Sequence, residues 1–306
     1  MNIIVINPIL FTPEKEVVPF VQTIKETMIY DLCMAYLRLG HSVTLLAAAD
    51  FKPAKEEAYD FEVVFLKSIW KRVFKPGLLP FMPGVWSYLR KRRHEVDMVL
   101  TSETFSIPSF LSALIVPSKT VVWQELGAHN RKMKMLPSRI WYNVIARCFM
   151  RKVWVIPRSY VSQRFISKYM PRVGSPIGHG IVVKQNSIST LKKNQLLTVG
   201  RLFWEKNIIS VIRKAAAFFS KYPQYNDYVL YVAGDGGLRD EYQEQIRKLG
   251  REQQIILLGK LPHEELFRYY RESKASLFDS LRELNMLALM ESVAMSTPVV
   301  TNRVPF

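Results

Sequence analysis

Two cysteines, Cys33 and Cys148, are all that 306 residues contain, with no CxxC and no Cys/His cluster. A disulfide framework is therefore excluded, and a structural zinc site is not expected. Long apolar runs are missing as well. The longest mostly apolar stretch, "FSIPSFLSALIVP", has 13 residues and two prolines, too short for a bilayer span of about 20. "MNIIVINPIL" lacks a basic region ahead of its apolar residues, so no secretory signal is read there. A reduced, cytoplasmic setting is the expectation. Negative charge is the absence with the largest consequence. Between Leu126 and Trp204 there is no Asp or Glu but 15 Lys and Arg, and between Lys67 and His94 there is again no acid but eight basic residues. The net charge of +17 belongs to these two tracts, since the rest of the chain carries 20 basic and 26 acidic residues. Such tracts require an anionic partner or surface.

What is present favours a folded chain: 49% hydrophobic and 12% aromatic residues. The length suits two domains of about 150 residues each. Apolar runs such as "NIIVI", "SVTLLAAA", "FEVVFL", "DMVLTS" and "TVVWQEL" alternate with segments of helical spacing, the first from Phe20 to Leu39. Short buried strands alternating with helices predict βαβ units and a parallel sheet. Gly178, Gly180 and "KQNSISTLKKNQ" mark a linker, after which a second series starts with "LLTVGRL". The expectation is α/β: two doubly wound, Rossmann-like domains facing a cleft, residues 1–183 and 196–306, joined by 184–195.

Chemistry concentrates in the second series. "RELNMLALMESVAMSTPVV" sets Glu283 and Glu291 eight residues apart. With a helix starting just after Glu283, the amide groups of Leu284, Asn285 and Met286 become an anion site at its positive end, and Glu291 lies about two turns inside. The plainer account is that Glu283 complements the helix dipole and Glu291 is a solvated residue. "TVGRLFWEKN" adds Arg201 after the strand-ending Gly200, and Lys206 at the opening of the next helix, cations suited to a diphosphate. "AGDGG", residues 233–237, is an incomplete dinucleotide fingerprint whose plainer role is tight turning.

Together these pieces resemble the donor-binding domain of the family 4 glycosyltransferases, which have the GT-B fold. The similarity runs over residues 195–302 through "VGRLFWEKN", "VAGDG", "IILLGKLPHEEL" and the Glu-x7-Glu stretch, and more loosely over "MIYDLCMAYLRLGHSVTLL" and "IGHG" in the first half. The resemblance implies a nucleotide-diphosphate sugar donor, transfer with retention of anomeric configuration, and no required metal or other cofactor. By position, Arg201 and Lys206 hold the diphosphate, Glu291 the ribose, and Glu283 the donor sugar. Gly200, Leu284, Asn285, Met286 and Lys260 complete the donor contacts. This chain departs from the pattern in three places. No glycine stands between Ile9 and Lys25, where the family has a Gly-rich turn. Met286 replaces a small residue. The sequence ends at Phe306, where the family continues, which implies a domain incomplete at its C-terminus.

In the first half, "KSIWKRVFKPGLLPFMPGVWSYLRKRRH" mixes basic residues with Trp70, Phe74, Phe81, Trp86 and Tyr88, a composition suited to an anionic headgroup layer. Core-packed aromatics under a solvated basic loop are the competing account. Arg139, Arg147 and Arg151 form a basic stripe on the helix near 135–151, most simply a face turned to water. Gln124, Glu125 and His129 follow the strand "TVVWQ". Glu125 and His129 are read as acceptor-side residues, with an exposed loop as the alternative for His129. The expected partners are a nucleotide sugar, a lipid-linked or cell-surface glycan acceptor and the inner face of an anionic membrane. No nucleic-acid module is matched. A nucleotide-sugar epimerase or phosphorylase of the same fold, an inactive relative and an anionic-polymer binder are the competing classes.

Overall fold

A computed structural model of the chain describes residues 1–10, 23–53, 57–75, 77, 79–129, 135–180, 191–281, 283 and 286–303. The chain divides into two compact units, Met1–Gly178 and His179–Phe306. Residues 184–190 of the expected linker lie outside the described residues.

The first unit runs β1 (Asn2–Ile6), α1 (Met28–Arg38), β2 (Ser42–Ala48), β3 (Glu62–Leu66), α2 (Gly84–Arg92), β4 (Met98–Ser102), α3 (Ile107–Ile115) and β5 (Thr120–Gln124). It continues with α4 (Leu136–Ile140), a π-helical turn over Trp141–Ala146, α5 (Arg147–Phe149), β6 (Trp154–Pro157) and α6 (Tyr160–Ile166). Its strands pair in parallel in the order β3-β2-β1-β4-β5-β6. Layers on both faces explain the uninterrupted apolar strands: Ile3 to Ile6 of β1 are at most 4% exposed.

Helix α1 begins eight residues later than Phe20. Thr23 caps a short 3-10 turn, its hydroxyl accepting from the Lys25 amide, and Thr27 is extended at φ −110° and ψ 145°. These β-branched threonines disfavour helix and restart the chain at Met28. The helix stops where predicted. Gly40, at φ +79°, lets its own amide and that of His41 close back on Leu37 and Tyr36.

The second unit runs β7 (Gln195–Val199), α7 (Ile208–Lys221), β8 (Val229–Ala233), α8 (Arg239–Lys248), β9 (Ile255–Gly259), α9 (His263–Glu272), β10 (Ala275–Phe278), α10 (Leu287–Ala294) and β11 (Val299–Thr301). Its parallel order is β11-β10-β7-β8-β9. In each unit the winding reverses once, between β1 and β4 and between β7 and β10. Doubly wound sheets take ligands outside the carboxyl ends of the strands at that reversal.

Candidate active site

The reversal in the second unit gathers most of the residues singled out in the sequence. Thr198 and Val199 end β7, Phe278 ends β10 and Ser280 follows it, and with Lys206, Ile208 and Met286 they line a pocket. Two loops close around it. The Leu281 amide donates to the Glu205 carbonyl at 2.8 Å, and the Asn207 side chain donates to the Asp279 carbonyl at 3.1 Å. Asn207 takes a left-handed conformation (φ +48°), which ends the short turn Trp204–Lys206 and starts α7. Lys206 is thereby turned back toward β10, where its Nζ pairs with Glu283 at 2.5 Å. Both side chains are mostly shielded, 23% and 16% exposed, so the ion pair is held in the loops and not on a solvated face.

The glycine-rich turn 233–237 has the packing role. The Gly200 amide donates to the Ala233 carbonyl, and the Leu202 amide to that of Asp235. A Cβ on Gly234 would stand 1.9 Å from the Gly200 carbonyl oxygen. Glycine there lets the two strand-ending turns touch, which holds Gly200 beside Lys206.

Helix α10 differs from expectation at its start. It begins at Leu287 with Met286 as its extended cap, so the sequence-based start just after Glu283 is corrected by three residues. Leu284 and Asn285 lie outside the described residues. Met286 lines the pocket, and Glu291 is one turn inside the helix rather than two. Glu291 accepts a hydrogen bond from the Tyr270 hydroxyl at 3.1 Å. Burial and the neighbouring carboxylate both push the Tyr270 pKa up, which keeps that hydroxyl a donor. Arg201 is exposed with its guanidinium 5.8 Å from the Phe203 ring centroid, and it is not among the described residues lining the pocket. Lys260 is exposed just past the edge strand β9. The structure therefore joins Gly200, Lys206, Glu283 and Met286, and leaves Arg201, Lys260 and Glu291 around them.

The first unit has its own polar cluster past β4 and β5. Its centre is a residue that the sequence reading passed over, Glu103, which directly follows β4 beside the end of β5 and has a left-handed backbone (φ +65°). One carboxyl oxygen accepts from the Glu125 and Leu126 amides at 2.8 and 3.1 Å, the other from the Gln124 side chain at 2.9 Å. Burial pushes its pKa up to about 7, against the two backbone donors and Arg158. Arg158 is itself buried and stacks 3.5 Å from the Trp123 ring centroid. Burial lowers its pKa to about 10, against the fields of Glu125 and Glu103, so it stays cationic. Glu103 follows its strand as Glu125 follows β5, and that shared position was the available signal. Glu125 is exposed at the rim. His129 is half-buried: Nδ1 is 3.1 Å from the Ser138 hydroxyl, Nε2 is 3.2 Å from that of Tyr169, and Tyr142 and Phe165 pack edge-on. Burial, then Arg139 and Lys168, lower its pKa, so the ring is neutral near pH 7. Among the described residues no three His, Cys, Asp or Glu form a metal-binding group, and no helix is long and apolar enough to cross a membrane.

Two doubly wound units, the second with a cation–carboxylate pair at its winding reversal, define a GT-B type architecture. Solved glycosyltransferases share it. "Anabaena Alr3699/HepE in complex with UDP and glucose" is similar at TM-score 0.63 and 18% identity, over 99% of this chain and 81% of that one. The "lipopolysaccharide outer core galactosyltransferase WaaB apo form" is similar at TM-score 0.63 and 16% identity, over 98% of this chain and 80% of that one. Residues 183–306 match the family model described as "Glycosyl transferases group 1", and this stretch is a glycosyltransferase group 1 domain. The alpha-monoglucosyldiacylglycerol synthase of Streptococcus pneumoniae is 23% identical over 293 residues, 87% of this chain. A D-inositol 3-phosphate glycosyltransferase of Corynebacterium glutamicum is 34% identical over 109 residues, 35% of this chain. The chain spans 65% of the first relative's length and 26% of the second's.

Proposed function

We propose that this chain moves a sugar from a nucleotide-diphosphate sugar to a lipid-linked or cell-surface glycan acceptor, with retention of configuration and without a metal. The observation that carries the proposal is the Lys206–Glu283 pair, whose lysine lines the β7/β10 pocket within the stretch matched by the family model. The Lys206 ammonium, with the exposed Arg201 as a second cation from the same loop, would neutralise the diphosphate as negative charge builds on the departing phosphate. Glu283 holds Lys206 in place and would exchange that contact for hydroxyls of the donor sugar. Glu291, oriented by Tyr270, is the ribose acceptor, with Lys260 an outer donor contact. In the first unit Glu125 and His129 are the acceptor-side residues. A relative named for a diacylglycerol glycoside and a neighbour that holds UDP and glucose support the lipid acceptor and the nucleotide donor. The acid-free basic tracts support attachment to the inner, anionic face of a membrane.

A panel of nucleotide sugars screened by thermal shift, followed by hydrolysis of whichever binds, tests the donor reading. One nucleotide sugar is expected to raise Tm, and its free nucleotide diphosphate is expected to be released slowly. Absence of any stabilising nucleotide sugar removes the reading. Conversion of one nucleotide sugar into another without release of diphosphate identifies an epimerase instead.

A further inference from the structure

The basic stripe near residues 135–151 has an apolar companion that the sequence pattern did not separate from the core. Over α4, the π turn and α5, the inward side is Ser138, Tyr142, Ala146 and Met150, all buried. On the outward side Leu136, Ile140 and Val144 are 63%, 55% and 49% exposed, and Cys148 continues the same line. These residues recur every fourth position, so they form one continuous ridge. Arg139 directly precedes Ile140, Arg147 directly precedes Cys148, and Arg151 follows the end of α5; all three are exposed. Arg147 is tied to the Lys168 carbonyl at 2.8 Å, which fixes its head at the rim. No carboxylate occurs on this segment or anywhere from Leu126 to Trp204.

We infer that this ridge is the surface by which the first unit seats on an anionic bilayer, with Leu136, Ile140, Val144 and Cys148 entering the acyl boundary and the arginines meeting lipid phosphates. An apolar ridge with a cationic flank is the chemistry that such an interface selects. A second copy of this chain is a poor occupant, because a net charge of +17 would bring like-charged rims together. A polyanion such as nucleic acid has no use for the aliphatic row. The inference rests on the membrane-attached reading above but assigns it to this helix rather than to residues 67–94.

The test uses the two thiols. Cys33 is buried and Cys148 exposed, so an environment-sensitive fluorophore labels Cys148 alone in the native chain. With vesicles of equal parts phosphatidylcholine and phosphatidylglycerol, the probe is expected to shift to the blue, and phosphatidylcholine alone is expected to leave it unchanged. In sedimentation of the unlabelled chain, I140E/V144E is expected to bind the anionic vesicles at least tenfold more weakly, and Arg139→Ala about fivefold. Both substitutions are at exposed positions, and an unchanged circular dichroism spectrum confirms the fold. Anionic-vesicle binding that survives in I140E/V144E, with no probe shift, overturns this assignment and leaves membrane attachment to residues 67–94. Failure of the wild-type chain to prefer anionic vesicles overturns both. A probe shift that grows with protein concentration in the absence of vesicles makes the ridge an interface between copies and overturns the inference as well.

Discussion

Replacing Glu103 with Gln removes a titrating group while keeping an oxygen for the Glu125 and Leu126 amides, and the consequence is a change in how stability depends on pH. In the folded chain the carboxyl titrates at about 7 because burial outweighs its three donors. The ordinary value is 4.5. Folding therefore raises its proton affinity. Between these two values the folded state holds more protons at this site than the unfolded state, so the contribution of Glu103 to stability is largest below pH 4.5 and falls until pH passes about 7. The full loss is about 3 kcal/mol, a large part of the 5–15 kcal/mol typical of a domain. The Gln variant is expected to be roughly 1 kcal/mol less stable than the protonated wild type, because its amide faces the Gln124 amide, and its dependence across this window is expected to be flat. Urea unfolding of the full chain, followed by tryptophan fluorescence, reads the effect. Trp70, Trp86, Trp123, Trp141 and Trp154 belong to the first unit and only Trp204 to the second. Equal pH slopes for the wild type and Glu103→Gln would refute the argument, as would a carbon-detected titration of Glu103 near 4.5.

Other expectations concern the second unit. Lys206→Ala is expected to lower sugar transfer by about 10²–10³ with the fold retained; turnover like the wild type's in both Lys206→Ala and Arg201→Ala would remove the diphosphate assignment. Tyr270→Phe deletes the hydroxyl that donates to Glu291 at 3.1 Å, and nucleotide-sugar affinity measured by calorimetry should fall about tenfold. Gly234→Ala forces a methyl to 1.9 Å from the Gly200 carbonyl and should destabilise the second unit by about 3 kcal/mol or more. Gly40→Ala, with nothing within 4 Å of the added carbon, should cost only about 1–2 kcal/mol for its left-handed backbone.

Strands were the most legible elements, because a strand buried on both faces must be apolar along its whole length and no local contact competes with that requirement. β1 to β5 fall within the runs expected, and β7 begins one residue before its run. Helix starts were less legible. The starts at Met28 and Leu287 are set by the extended caps Thr27 and Met286, and apolar spacing does not show where the backbone enters the helix. The donor-side residues were found because a glycine, two cations and a spaced acid pair form a motif. Glu103 belongs to no motif: a single carboxylate after a strand reads like any loop acid until the neighbouring strand's amides are seen to enclose it.

What the residues determined alone is local and periodic: alternating strands and helices, two successive α/β series, the acid-free basic tracts, and the residue types suited to a diphosphate. Tertiary structure decided which of these meet. It set Lys206 on Glu283 by winding β10 beside β7, 77 positions apart in sequence. It enclosed Glu103 between the ends of β4 and β5 in the first sheet. It also turned Leu136, Ile140 and Val144 outward, because the core beneath that helix is already filled by Tyr142, Ala146 and Met150. Burial depends on what packs from elsewhere in the chain, and so no reading of neighbours in sequence supplies it.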